Sequence, residues 1–149
     1  MQEGFIEELL IQREKGYPFE KVLSMELCKD RGIVGDWHSL SDEKQIALIS
    51  LKVKDWMKEQ AVKGLCFSRF QENILLNSLE FSELKQGVVL KTEYAKIEVI
   101  LYTKRCFSEC SLVKDALPCE LREGIRFAKV IQSGSVHIGD RIWIDSHFL

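Results

Sequence analysis

Apolar and polar residues alternate with a period of two in several short stretches of this chain, and that period marks half-buried β-strands. From Val22 to Cys28, Val22, Ser24 and Glu26 fall on one face and Leu23, Met25 and Leu27 on the other. From Ala95 to Tyr102, Ile97, Val99 and Leu101 stand against Lys96, Glu98 and Ile100. Arg126 to Gln132 and Arg141 to Ile144 alternate as well, separated by Gly134 and by the hairpin-like Ile138-Gly139-Asp140. Gln45 to Leu51 is a continuous apolar run that reads as a strand, and Val88 to Lys91 forms another after a turn at Lys85-Gln86-Gly87. Gly4 to Lys15 fits either a first strand or a short helix, and Gly16-Tyr17-Pro18 ends it.

Helical spacing is clear at one place. Val53, Trp56, Met57 and Ala61 recur as a core-packing stripe, with Gly64 where the residue after a helix C-cap is expected. A second short helix fits Phe107 to Ala116. About seven or eight short strands with antiparallel alternation predict a mainly β fold, a small closed or nearly closed β-barrel with peripheral helices, since closure removes sheet edges. The 149 residues form one domain, 1–149, long enough to bury a core without staples.

Composition narrows the function classes. Charged residues make up 30% and the net charge is −2, which argues against a nucleic-acid footprint or a patch for acidic membranes. The start, MQEGFIEELLIQREKG, has no basic segment followed by an apolar one, and no apolar run approaches the roughly 18 residues of a membrane span. A cytoplasmic location follows as the expectation. Five cysteines, an odd number without a secretion signal, point to reduced thiols and not to a disulfide framework.

Three of those cysteines, Cys106, Cys110 and Cys119, lie between Tyr102 and Ile131 with Lys104, Arg105, Arg122 and Arg126 close by in sequence. Cations and helix N-termini favour the thiolate, the reactive form of cysteine. Cys106 directly follows Lys104-Arg105 and a strand end, a placement that suits an activated thiol. The same cysteine reads also as a buried, inert residue, or as one ligand of a zinc site with Cys110, Cys119 and a distant His38 or His137. In Gly32-Ile33-Val34-Gly35-Asp36-Trp37-His38, Asp36 reads first as a turn residue capping its own backbone. Alternatively Asp36 and His38 serve a pocket as hydrogen-bonding or proton-transfer groups. Glu72-Asn73 at a strand entrance either satisfies a turn or lines a polar site.

Taken together, these pieces resemble the MOSC domain, named for the C-terminal part of molybdenum cofactor sulfurase. The matching residues are Gly32-Ile33-Val34-Gly35-Asp36 with His38, Gln45-Ile46-Ala47-Leu48, Glu72-Asn73-Ile74, Leu84 with Gly87, and Lys104 with Cys106 and Cys110. They continue through Leu121-Arg122-Glu123-Gly124-Ile125, Phe127-Ala128-Lys129-Val130 and Gly134 with Gly139-Asp140. In order and spacing they most resemble the short stand-alone bacterial members. The resemblance implies a barrel of the pyruvate-kinase-barrel kind, with a pocket at one end and Cys106 as the key residue. There Cys106 carries sulfur as a persulfide or ligates molybdenum, and Asp36, His38, Glu72, Asn73 and Arg122 line the same pocket. The implied cofactor is molybdenum cofactor (molybdopterin), with Arg122 on its phosphate. Pyridoxal phosphate has no place in a chain this short, so sulfur must come from a partner such as a cysteine desulfurase. Two other readings go with the resemblance: a molybdenum-dependent reductase of N-hydroxylated compounds fed by a redox partner, and a non-catalytic metal or ligand-binding module.

Overall fold

The computed structural model describes residues 3–41, 44–61, 63–64, 67, 70–101, 110–114 and 120–146. Among them are strands β1 (Glu3–Ile11), β2 (Glu20–Val22), β3 (Ser24–Cys28), β4 (Gly32–Ile33), β5 (Ile46–Ser50), β6 (Ile74–Asn77), β7 (Val89–Lys91), β8 (Lys96–Leu101), β9 (Ile125–Gln132), β10 (Gly134–His137) and β11 (Arg141–Ile144). Helices α1 (Trp37–Ser41), α2 (Leu51–Glu59) and α3 (Ser111–Lys114) accompany two 3-10 turns, Phe81–Glu83 and Glu120–Arg122.

Seven strands close a barrel in the order β11-β7-β8-β9-β5-β6-β1, with β1 returning to β11 through Glu3↔Trp143 and Phe5↔Arg141. Closure leaves these strands without a free edge; β2 adds to β1 outside the ring, and β10-β3-β4 forms a separate small sheet. The expected closed, mainly β barrel with peripheral helices is therefore present. The expected antiparallel arrangement is broken once, because β5 and β6 pair in parallel and α2 forms the crossover between them. Pairings fix two ends. β5, β6, β8 and β11 run towards one, here called upper, and β1, β7 and β9 run towards the lower.

The barrel interior holds Ile6, Leu9, Ile46, Leu48, Ile74, Leu76, Leu90, Ile97, Val99 and Val130, all nearly inaccessible. A second apolar layer lies outside the wall, where Ala47, Ile49, Leu75, Ile125 and Phe127 face Val53 of α2. That explains why β5 reads as an unbroken apolar run: one face fills the barrel and the other lies under a helix. Each fully buried Ile or Leu contributes about 1.5–3 kcal/mol, so the two layers dominate stability. Gly124 permits the close approach, since a Cβ there would strike the side chain of Val53.

Several local expectations change. Gly4 to Lys15 resolves to strand β1, and the stretch Val22 to Cys28 divides into β2 and β3 with Leu23 at the break, 81% exposed. Helix α2 ends at Glu59 with Gln60 as its C-cap, four residues before Gly64, and Val53 is its buried residue; Ala61 is exposed. The Lys85-Gln86-Gly87 turn forms as expected: Val88 N–H donates to the Lys85 carbonyl at 3.0 Å, and Gly87 takes φ +93°, which favours glycine. β10 was not foreseen. No helix among the described residues is long and apolar enough to cross a membrane.

Outside the wall, α2 is tied to β1 and β2 by charge. The Lys21 ammonium lies 2.7 Å from Glu8, and Lys54 of α2 lies 4.0 Å from Glu8 and contacts the buried carboxylate of Glu72. The Lys21 hydrogen bond, against some desolvation and helped by the charges of Lys21, Lys54 and Lys58, holds the Glu8 carboxyl below its ordinary 4.5. A depressed carboxylate stabilises the fold above the ordinary value, and that contribution is lost as pH falls through the folded value. Glu8→Gln is therefore expected to reduce the acid-side loss of stability below about pH 4.5. Urea midpoints measured from pH 6 to 3 check this. An unchanged pH profile in the variant would rule out the contribution.

Candidate functional site

At the lower end, Asp36 is fully buried and ties three segments together. Its Oδ1 accepts from the Gln12 backbone N–H at 2.8 Å and from Asn73 Nδ2 at 3.4 Å. Its Oδ2 accepts from the Ser39 N–H at 3.1 Å, the third residue of α1, so Asp36 acts as the helix N-cap. Asn73, 4% exposed, completes the junction. Its Nδ2 donates to the Leu10 carbonyl at 3.1 Å, and its Oδ1 accepts from the Ala47 N–H at 2.9 Å. The loop before α1 is thus fastened to β1, β5 and β6.

The structure brings Asp36 and Asn73 together. Glu72, adjacent in the chain, turns to Lys54 and accepts from Gln71 Nε2 at 2.9 Å. His38 is exposed on α1, with ring centroids of Phe19 at 6.3 Å and Trp37 at 5.0 Å. Arg122 stands exposed in the 3-10 turn before β9, at the upper end and away from the other four. Cys106 and Cys119 lie outside the described residues. Cys110 is buried beside α3, and Cys28 is half-buried at the end of β3. Among the described residues no three His, Cys, Asp or Glu stand close enough to hold a metal ion.

At the upper end a cavity of about 440 Å³ opens between the N-terminus of α2, the 77–82 connection after β6, and the turn at 120–124. Arg126 sets its walls. Its buried guanidinium donates Nε to the Leu84 carbonyl at 2.7 Å and Nη2 to the Phe81 carbonyl at 2.5 Å on one side. On the other, Nη1 donates to the carbonyls of Glu123 at 2.9 Å and Ile125 at 2.7 Å. Strand β8 also ends at this end, where Leu101 pairs with Phe127 two residues into β9. The chain therefore leaves β8 at the cavity end of the barrel, five residues before Cys106. Sequence reasoning found neither the cavity nor Arg126's role, because its walls come from segments about 25 and 40 residues apart that share no motif.

A model of the MOSC domain matches residues 35–143, which include Cys106. The chain belongs to the MOSC domain family. No curated protein sequence matches it significantly. Among solved structures, the YUAD protein from Bacillus subtilis superposes with a TM-score of 0.65 at 16% identity, covering 95% of both chains. YiiM from Geobacillus stearothermophilus gives 0.61 at 15% identity over 96% of this chain and 75% of that one. YiiM from Escherichia coli gives 0.58 at 16% identity over 95% and 70%. At such identities the structures establish a shared barrel.

MOSC domains are a molybdenum-cofactor-related family, and the residues offered as a cofactor shell can be tested against that. Asp36, Asn73 and Glu72 commit their polar atoms to backbone amides, to each other and to Lys54. Those commitments do not fit a role as cofactor ligands.

Proposed function

We propose that this MOSC domain is a sulfur carrier of molybdenum cofactor metabolism in which Cys106 is the acceptor. The family match spanning Cys106 carries the reading, and the delivery of β8 to the cavity end of the barrel supports it. Sulfur carriage needs one accessible thiolate and no further protein ligand. The Cys106 thiolate attacks the terminal sulfur of a donor persulfide on a cysteine desulfurase. The donor S–S bond breaks, its thiolate leaves with the electron pair, and Cys106 becomes a persulfide. Asp36, Asn73 and Glu72 then act by holding the barrel and its loops in place.

Incubation with a cysteine desulfurase and L-cysteine is expected to raise the intact mass by one sulfur atom. Reductant should remove that atom, and Cys106→Ser should not gain it. If wild type gains no sulfur, while protein from a host that makes molybdenum cofactor holds molybdenum and pterin lost in Cys106→Ala, Cys106 is a metal ligand and the carrier reading falls.

A further inference from the structure

We infer that the upper cavity binds a small ligand of the amino-acid class, with a carboxylate at the N-terminus of α2 and cationic nitrogens among Glu80, Glu120 and Glu123. Ser50 is the starting point. It occupies the N-cap of α2 with extended backbone, yet its hydroxyl makes no capping bond and no other hydrogen bond among the described residues. The residue is nevertheless only 9% exposed and lines the cavity. A serine at an N-cap normally closes onto the amides of the first turn. Here the first turn of this nine-residue helix also lacks any acidic residue. Its amides, the Ser50 hydroxyl and the Lys52 ammonium together form an anion-accepting corner, since helix N-termini present N–H donors and a partial positive charge.

The rest of the lining has the opposite sign. Glu80 comes from the 77–82 connection, and Glu120 and Glu123 come from the turn before β9. Three carboxylates face one ammonium, so a simple anion is repelled overall and a simple cation leaves the helix corner unused. A ligand with one anionic end and an excess of positive charge satisfies both parts. Arg126, which bonds carbonyls on the two walls, holds the corner and the glutamates in register. The site makes no use of Cys106, so it stands or falls independently of sulfur carriage.

The protein, labelled with ¹⁵N, would be titrated to about 10 mM with L-arginine, with agmatine, which lacks the carboxylate, and with 5-guanidinopentanoate, which lacks the α-amine. L-Arginine is expected to shift the amides of Lys52, Val53 and Gly124 and to bind at least about tenfold more tightly than either analogue, one charged hydrogen bond being worth that factor. Ser50→Ala, Lys52→Gln and Glu123→Gln should each weaken it about three- to tenfold. Lys52 and Glu123 are exposed, so those variants test the site without threatening the fold. Cys106→Ser should bind as wild type does. Equal affinity for agmatine and L-arginine, or no shift at the α2 amides, would overturn the assignment.

Discussion

Replacing Asp36 by alanine is expected to cost about 3–5 kcal/mol of folding free energy, one of the largest single losses available in this chain. Three donors accept the loss: the Gln12 and Ser39 N–H groups and the Asn73 amide all point at a carboxylate of zero exposure. A buried donor left without a partner costs about 1–3 kcal/mol, and water cannot reach this site without opening the loop. Asp36→Asn should lose less, because one oxygen remains while an NH₂ is forced against at least one donor. Urea unfolding followed by circular dichroism measures both. A wild-type midpoint in Asp36→Ala would show that the junction is not structural, and would return Asp36 to the list of residues free for chemistry.

Arg126→Met is expected to lose a comparable amount, about 3–5 kcal/mol, by a different route. Methionine has similar volume but takes the guanidinium donor from the carbonyls of Leu84, Glu123 and Ile125 and leaves that of Phe81 with the Leu84 N–H alone. Arg126→Lys should recover only part of this, since one ammonium cannot span both walls as a planar fork does. The distinguishing readout is local. Leu84 and Gly124 N–H groups bond within the two turns that Arg126 joins, to the Phe81 carbonyl at 3.0 Å and the Glu120 carbonyl at 3.2 Å. Their hydrogen exchange should accelerate more in Arg126→Lys than exchange within β5 and β9. Uniform acceleration across the barrel would mean that Arg126 supports the fold in general and has no special part in shaping the cavity.

The strands were legible wherever one face is buried and the other wet. Ser24–Cys28 shows it best, with Met25 and Leu27 inside and Ser24 and Glu26 outside. β1 resisted because Leu9, Leu10 and Ile11 are buried in succession, which erases the alternation that separates strand from helix. β10, Gly134–His137, was invisible because its sequence GSVH buries only Val136. The parallel β5–β6 pair could not be read at all, since an apolar run does not declare the direction of its neighbour. Of the candidate residues, Asp36 showed its local capping in the Gly35-Asp36 dipeptide, and the turn reading describes its bond from Ser39 but not those from Gln12 and Asn73, 24 and 37 positions away. Asn73 gave no local sign of partners 26 and 63 positions away. Ser50, Lys52 and the three glutamates of the cavity were silent for the same reason.

The pairing of Glu3–Phe5 with Arg141–Trp143 sets an order of events during synthesis. β1 leaves the ribosome first, yet β6, its neighbour on one side, follows only after about 70 residues, and β11 on the other only after nearly the whole domain. Until β11 arrives the Glu3–Phe5 half of that margin offers bare amides and carbonyls to any passing strand, while Leu9, Leu10 and Ile11 are covered early by β2. Completion is therefore a late, all-or-none event dominated by distant contacts, a topology that folds slowly. A nascent chain of this protein should be a good client for holding chaperones up to the moment Ile144 clears the exit tunnel.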